Sequence, residues 1–270
     1  MFTILQKSLL GPKMHYMLVE APLVARKARA GQFVVVRVRE QGERIPLTIA
    51  DFDRDSGTVT LVFQELGKTT GLLAAMKKGD CLLDLLGPQG NPTEIEDFGH
   101  AVIIGGGIGV APVYPIARAL KQKGNKVTAI IGYRSKEHVF WEEKMKSVSD
   151  NLIIATNDGS YGKKGFVTDM LKELMAADEK IDIVFAIGPA VMMKAVVEMT
   201  RSSGIKTIVS LNSLMVCAMG MCGACRVEVG GKTRFTCMDG PDFDGHQVDF
   251  DLLMKRLDTY KAEECSCCSK

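Results

Sequence analysis

Four cysteines near the carboxyl end of this 270-residue chain are the residues whose type and spacing are best suited to chemistry. Cys217, Cys222, Cys225 and Cys237 follow the pattern C-x4-C-x2-C-x11-C. This is the plant-type arrangement that holds a [2Fe–2S] cluster in four thiolates. Glycines stand between these cysteines, where a backbone that curls around sulfur and iron needs angles that other residues adopt only at a cost. The spacing therefore predicts four cluster ligands.

Two other chemistries remain open for the same cysteines. Structural zinc also takes four cysteines, although it usually pairs two C-x2-C knuckles and this segment has one. Two disulfides would suit a small secreted domain better than a chain of this length. The segment 226–235 reads as two short strands around a Gly-Gly turn, which would carry the last cysteine back to the loop. Cys265, Cys267 and Cys268 lack a fourth partner nearby and are left unassigned.

Composition narrows the class of protein. With 46% hydrophobic and 24% charged residues, the chain is an ordinary globular protein long enough for two domains with real cores. A net charge of +2 gives no electrostatic reason to expect nucleic acid. The sequence lacks a signal peptide and an apolar run of the roughly 20 residues that span a membrane. We therefore expect a cytoplasmic protein with reduced cysteines.

A glycine-rich segment, GGGIGVAP at 105–112, lies between a predicted strand and a predicted helix. Backbone N–H groups and the helix dipole can hold a pyrophosphate in such a place. The segment departs from G-x-G-x-x-G, so a tight structural turn is the alternative. The Gly-Pro pair at 188–189 follows another buried strand at the sheet edge where ligands bind. Arg134 follows the predicted strand at 127–132 and could face an adenosine ribose. Its presence does not decide between NAD and NADP.

Two motifs in the first third of the chain are weaker. The sequence RIPLT at 44–48 reads as a strand, and Arg44 could bind phosphate or simply face solvent. The sequence GKTTG at 67–71 opens a short helix, whose backbone and hydroxyls could meet a phosphate. An ordinary N-cap by Thr69 or Thr70 explains it equally well. No Ser/His/Asp arrangement or carboxylate pair stands out, which disfavours hydrolysis.

The elements that must position these motifs change in kind near residue 98. Short strands punctuated by glycine predict an antiparallel barrel over 1–98, with one helix at 69–78. Alternating strands and helices then predict a parallel sheet over 99–208. The strands lie at 101–104, 127–132, 152–155 and 183–187, and the helices at 113–123, 137–148, 167–175 and 191–202. The remainder, 209–270, holds the cluster segment and a helix at 248–261.

Taken together, RIPLT, the glycine loop with its Gly-Pro turn, and the four-cysteine loop resemble the ferredoxin–NADP reductase superfamily. The order of barrel, nucleotide domain and carboxyl-terminal [2Fe–2S] loop looks like the electron-transfer subunit of dihydroorotate dehydrogenase B. The segments NDGSYG (157–162), SLNSLM (210–215) and DGPDFDGHQVD (239–249) look closer to the small subunit of NADH-dependent reduced ferredoxin:NADP oxidoreductase, also called sulfide dehydrogenase. Small subunits of that enzyme can carry aspartate as the first cluster ligand, whereas this chain has Cys217, as the dihydroorotate relatives do.

The resemblance implies particular cofactor contacts. FAD would be bound by Arg44, Pro46, Leu47, Thr48, Gly67, Thr69 and Thr70. A nicotinamide nucleotide, NAD(H) or NADP(H), would be bound by Gly106, Gly107, Gly109, Gly188 and Pro189, with Arg134 nearby. A hydride from the nucleotide would reach FAD, and the flavin would feed the one-electron cluster.

A partner is implied as well. The resemblance points to a larger flavoprotein or iron–sulfur subunit in a heterodimer or larger assembly, and no stretch of the sequence supplies a second substrate pocket with acid–base residues in a recognisable arrangement. Met215, Met219, Met221 and Met238 surround the cluster loop and could form an adaptable docking surface. Inward packing of these methionines is the alternative. A self-contained reductase and a zinc-binding scaffold are the other functional hypotheses.

Overall fold

The amino-terminal third of the protein is an antiparallel barrel of seven strands. The structure is a computed structural model that describes residues 1–177 and 179–259. The elements in this part are β1 (Phe2–Gly11), β2 (Met14–Glu20), α1 (Pro22–Lys27), β3 (Phe33–Arg37), β4 (Arg44–Asp53), β5 (Thr58–Gln64), α2 (Lys68–Ala75), β6 (Cys81–Leu82) and β7 (Asp84–Gln89). The sheet order is β6-β1-β2-β5-β4-β3-β7. Only Leu83 separates the two edge strands, so the sheet is nearly closed. The predicted barrel is confirmed.

The interior of the barrel is filled by alternate residues of its strands. In β3, Val34 and Val36 are buried with Met17, Val19 and other aliphatic side chains. Because side chains alternate across a strand, Phe33 and Val35 must point outward from the barrel. These two residues later prove to contact the cluster segment. The helix α1 was not predicted, since its six residues are too few for a clear helical period.

The middle of the chain forms a parallel sheet with helices on both faces. Its elements are β8 (His100–Gly106), α3 (Val110–Gln122), β9 (Lys126–Tyr133), α4 (Glu142–Ser147), β10 (Asn151–Thr156), β11 (Lys163–Lys164), α5 (Val167–Ala176), β12 (Ile183–Ile187), α6 (Ala190–Arg201) and β13 (Lys206–Ser210). The order is β11-β10-β9-β8-β12-β13. The chain order reverses beside β8, which is where open α/β sheets bind ligands. The predicted Rossmann-like sheet is confirmed.

The predicted helix at 137–148 is wrong in its first half. A 3-10 turn at Lys136–His138 is followed by an extended segment, and α4 begins only at Glu142. The cause is aromatic packing. The Phe140 ring packs edge-on against Tyr133, whose hydroxyl donates to the Phe140 carbonyl oxygen at 2.6 Å. Trp141 takes a left-handed conformation, with φ of 58°, and places its ring on Tyr114.

The last part of the chain contains the predicted hairpin and an additional strand. Its elements are β14 (Arg226–Val229), β15 (Lys232–Phe235), α7 (Thr236–Asp239), β16 (Asp242–Asp244) and α8 (Phe250–Leu257). The strand β16 pairs antiparallel with β13 and extends the nucleotide sheet. The predicted helix at 248–261 begins at Phe250, and its last two residues lie outside the described residues. Phe250 and Leu253 pack on Val196 and Val197 of α6.

The barrel and the parallel sheet share one hydrophobic core. Met14, Ala50 and Val62 on the outer face of the barrel belong to the same buried cluster as Val113 and Ile116 of α3. Fully burying side chains of this size contributes roughly 1.5–3 kcal/mol each. A shared core of this kind holds the barrel at a defined position against α3.

Candidate functional site

The RIPLT segment occupies a half of β4 that has only one strand neighbour. Residues 44–48 pair with β3, and pairing with β5 starts only at Ile49. A register shift between Ile49 and Asp51 separates the two halves of the strand. Arg44 is exposed and the other four residues are half-buried. One edge and one face of this strand are therefore open to a planar ligand, and Pro46 leaves no N–H to satisfy there.

The start of α2 presents a second open surface in the barrel. Thr70 Oγ1 accepts from the backbone N–H of Leu66 at 3.0 Å and of Gly67 at 2.9 Å. A Cβ atom on Gly67 would have no heavy atom within 4 Å, so the backbone is open to a ligand. The hydroxyl of Thr69 donates to Glu43 Oε2 at 2.5 Å. Because the first N–H groups of a helix have no helical acceptor, this end favours an anion such as a phosphate.

The two glycine turns of the nucleotide sheet are packed against each other. Gly105 of β8 pairs with Ile187 of β12, so both turns leave the same edge of the sheet. A Cβ on Gly109 would overlap the carbonyl oxygen of Ile187. A Cβ on Gly188 would lie 3.2 Å from the backbone nitrogen of Gly106 and 2.8 Å from a methyl carbon of Met192. These positions need glycine because the backbones approach closely.

Gly107 differs from the glycines around it. Its φ is +56°, and a Cβ there would have no heavy atom within 4 Å. It begins the 3-10 turn Gly107–Gly109, which leads directly into α3. The open space at this helix start suits a pyrophosphate. Arg134 is exposed just beyond β9, at the same edge of the sheet.

Backbone N–H groups of the cysteine loop are directed at sulfur. Cys217 Sγ accepts from the N–H of Met219 at 3.5 Å and of Cys222 at 3.3 Å. Cys237 Sγ accepts from Gly220 at 3.3 Å. Ala218, Gly220 and Gly223 all have positive φ, which makes this curled path possible. Such N–H bonds stabilise thiolates and tune the potential of a cluster.

The four thiols form two pairs with different surroundings. Bonds from the N–H groups of Met219 and then Cys222 lower the pKa of the Cys217 thiol to about 6. Burial, followed by the neighbouring Cys225 thiol, raises the pKa of Cys237 to about 11. Cys225 and Cys237 are buried with their sulfur atoms 3.2 Å apart, whereas Cys222 is exposed. The five cysteines of the described ranges carry free thiols.

The pairing of the thiols bears on which metal group fits. A single zinc needs four ligands around one point, whereas each iron of a [2Fe–2S] cluster takes two cysteines. Two pairs of thiols with N–H donors fit the binuclear group. Cys265, Cys267 and Cys268 lie outside the described residues.

The cysteine loop packs directly on the barrel strand beside RIPLT. Cys225 and Cys237 belong to one buried cluster with Phe33 and Val35 of β3. In the β3–β4 ladder, Phe33 is opposite Thr48 and Val35 is opposite Pro46. Opposite residues of an antiparallel pair project from the same face. The cysteines therefore lie beside the face of RIPLT that is open to a ligand.

Sequence spacing did not reveal Phe33 and Val35, because strand alternation gives their outward direction but not what covers them.

The four methionines around the cysteine loop differ in their exposure. Met219, Met221 and Met238 are exposed at 45%, 82% and 51%, so these three do not pack inward. Met215 instead packs beside the buried cysteines.

Comparisons with known proteins agree with this arrangement. Residues 212–249 match the iron-sulfur cluster binding domain of dihydroorotate dehydrogenase B, and residues 103–198 match the oxidoreductase NAD-binding domain. The chain is 48% identical over 246 residues to a dihydroorotate dehydrogenase B (NAD(+)) electron transfer subunit homolog of Thermotoga maritima, covering 91% of this chain and 86% of that protein. It is 35% identical to the dihydroorotate dehydrogenase B electron transfer subunit of Bacillus caldolyticus, covering 91% and 96%.

Solved structures give the same result. A chain from the NADH-dependent reduced ferredoxin-NADP oxidoreductase structure superposes with a TM-score of 0.94 at 44% identity, covering 99% of this chain and 96% of that one. Phthalate dioxygenase reductase shares the fold, with a TM-score of 0.63 at 15% identity over 87% of this chain and 92% of that one. No helix in the described part of the chain has the length and apolarity needed to cross a membrane.

Proposed function

This chain belongs to the family of dihydroorotate dehydrogenase B electron transfer subunits, and from that premise we propose how its residues perform electron transfer. It is an NAD(P)H-dependent oxidoreductase subunit that moves electrons between a nicotinamide nucleotide, FAD and a [2Fe–2S] cluster, and onward to a larger partner subunit. We assign it to NADH-dependent reduced ferredoxin:NADP oxidoreductase as the small subunit. Similarity along the whole chain to a structure of that enzyme supports this assignment.

The second candidate is the electron transfer subunit of dihydroorotate dehydrogenase B itself. Cys217 favours it, because a cysteine as first ligand is the pattern expected of those subunits and completes a four-thiolate set. The two candidates share every residue role described below. They differ in the partner subunit and in the final electron acceptor.

Each cofactor is assigned to a separate part of the chain. Arg44, Pro46, Leu47 and Thr48 would bind FAD, with Gly67, Thr69 and Thr70 near its phosphates. Gly106, Gly107, Gly109, Gly188 and Pro189 would bind the nicotinamide nucleotide, with Arg134 nearby. Cys217, Cys222, Cys225 and Cys237 hold the cluster. The same proposal includes three domains, at 1–98, 99–208 and 209–270, and a cytoplasmic location.

The observation that carries the proposal is the contact between β3 and the cysteine loop. Phe33 and Val35 touch the region of Cys225 and Cys237 and stand opposite Thr48 and Pro46 of the flavin strand. When bound, FAD accepts two electrons from a nicotinamide and releases them singly to a one-electron centre. The chain supplies a buried apolar contact between β3 and the cysteine loop, which fixes the positions of the two cofactor sites relative to each other.

The protein's residues also prepare each site before any cofactor arrives. The α2 start and the turn at Gly107 each open a helix, whose first N–H groups lack helical acceptors and would bind phosphates without the cost of ordering a loop. Around the cysteine loop, N–H donors offset the charge of the thiolates. The three exposed methionines beside the loop give a partner subunit an adaptable apolar contact.

Two measurements on the isolated chain test the proposal. Its absorption spectrum should show flavin and [2Fe–2S] bands, whereas a zinc-binding scaffold would show neither. With NADH, the chain should reduce artificial one-electron dyes rapidly but turn over ferredoxin with NADP, or dihydroorotate with NAD, only after the matching larger subunit is added. Full physiological turnover by the isolated chain would contradict the proposal and favour a self-contained reductase.

A further inference from the structure

A groove of about 810 Å³ lies between the outer face of the barrel and the helices α3 and α4. On the barrel side it is lined by Asp51, Phe52 and Asp53, at the far end of β4 from RIPLT. On the other side it is lined by Arg118 and Gln122 in the second half of α3. From the helical rise of 1.5 Å per residue, Gln122 is roughly 18 Å from the α3 start. None of the residues assigned to the three cofactors lines the groove, so it is a separate site.

The charges of the groove are unequal. Four basic side chains line it against two carboxylates. Asp51 bridges the two walls, accepting from Arg118 at 2.7 Å and from Lys144 at 2.8 Å. One carboxylate shared by two cations leaves positive charge that water or an anion must balance.

The barrel wall adds two basic side chains without an acidic partner. Arg29 and Arg54 form no ion pair with any residue of the described ranges. Arg54 donates one N–H to the carbonyl oxygen of Ala28 at 3.0 Å, and the other N–H groups of its guanidinium remain available to a ligand. The second carboxylate, Asp53, accepts instead from the backbone N–H groups of Asp55 and Ser56. The groove thus attracts an anion.

An aromatic ring holds two of these guanidiniums in place. The central carbons of Arg54 and Arg118 each lie 5.3 Å from the centre of the Phe52 ring. Each of these guanidiniums is bound to one protein oxygen through a single N–H group, and its other N–H groups can donate to a phosphate. Leu18 and Ile95 add apolar surface to the same groove. Cationic edges beside an apolar wall suit a ligand that has both phosphate and organic parts.

We propose that this groove binds an organic phosphate of nucleotide size. Its volume lies within the range of about 300–1,000 Å³ that is usual for small-molecule sites. Because its walls come from the barrel and from α3 and α4, a bound ligand joins the two parts of the protein and stabilises their arrangement. This site does not depend on the proposed function.

The test is a titration of the FAD- and cluster-loaded protein with ADP by calorimetry, with saturating NAD⁺ present to occupy the glycine loop. ADP should bind saturably, and pyrophosphate should bind more weakly because it lacks an organic part for the apolar wall. Arg29→Glu should weaken ADP binding about tenfold or more, since it removes a charged donor and adds repulsion. Arg26→Glu is the matched control, because Arg26 is exposed three residues away and does not line the groove.

A second variant keeps the test decisive if Arg29→Glu folds poorly. Arg54→Glu should weaken ADP binding to a similar extent, against the same control. ADP should also raise the melting temperature of the wild-type protein more than that of either groove variant. Absence of binding at millimolar ADP, equal binding by groove variants and control, or equal binding of pyrophosphate and ADP would each overturn the proposal.

Discussion

Replacing Gly107 by valine separates nucleotide binding from protein stability. A Cβ at this position meets no heavy atom within 4 Å, so the substitution causes no steric clash inside the protein. Its cost to folding is the strain of a branched residue at a φ of +56°, about 1–2 kcal/mol. For a protein of this size, a loss of 1 kcal/mol lowers the melting temperature by roughly 2–4 °C.

The effect on nucleotide binding should be larger. The two methyl groups of valine would occupy the open space at the α3 start, between the N–H groups and a pyrophosphate. Each hydrogen bond to a charged group is worth about 1.5–3 kcal/mol. Loss of two such bonds weakens NADH binding roughly 100-fold or more, since 1.4 kcal/mol is a factor of ten.

The assay is stopped-flow reduction of the protein-bound flavin by NADH, with flavin content measured by absorption. Gly204→Val is the matched control, because Gly204 has a φ of +65°, also has no heavy atom within 4 Å of a Cβ, and lies after α6 at the other end of the sheet. Both variants should retain FAD and lose similar stability, and only Gly107→Val should lose reduction by NADH. Wild-type reduction by a folded Gly107→Val protein would show that the loop is not the nucleotide site.

Three further substitutions have defined outcomes. Cys222→Ser should abolish the paramagnetic signal of the reduced cluster, whereas Cys81→Ser should leave it unchanged; a native signal in the former would remove Cys222 from the ligand set. Thr70→Val should cost about 1 kcal/mol, because the N–H groups at the start of α2 lose their acceptor, and should increase FAD loss on dilution; unchanged FAD retention would contradict the phosphate assignment. Burial raises the pKa of Asp242, so ionising this carboxyl group costs more free energy in the folded state than in the unfolded state. The folded state is therefore destabilised increasingly as the pH rises above the ordinary aspartate pKa. Asp242→Asn should therefore raise the melting temperature at pH 8 and give a smaller gain near pH 4, and an equal gain at both pH values would be inconsistent with this cause.

The amino-acid pattern predicted those parts of the fold whose neighbours are local in sequence. The strand Ile183–Ile187 has the predicted bounds, and α3 starts three residues before the predicted helix at 113–123. Long-range contacts decided what the pattern missed. Burial of Phe140 against Tyr133 interrupts a helical period, and pairing with β13 turns residues 242–244 into a strand.

The candidate site shows the same division between local pattern and long-range contact. Cysteine spacing and the glycine segments indicated the chemistry of each part because their constraints lie within a few residues. The contact of Cys225 and Cys237 with Phe33 and Val35 joins positions about 190 to 200 residues apart, and no spacing encodes it. Likewise, the groove lined by Arg29 and Arg118 exists only because the barrel packs on α3.

The path from nucleotide through flavin to cluster is tested most directly by adding NADH to the isolated, cofactor-loaded chain and following both centres in time. Stopped-flow absorption would record the flavin, and freeze-quenched electron paramagnetic resonance would record the cluster. The flavin should bleach first, and the cluster signal should then appear in the same polypeptide, without a partner. A flavin that is reduced while the cluster stays oxidised, with a cluster potential high enough to accept the electron, would contradict the assigned path across β3.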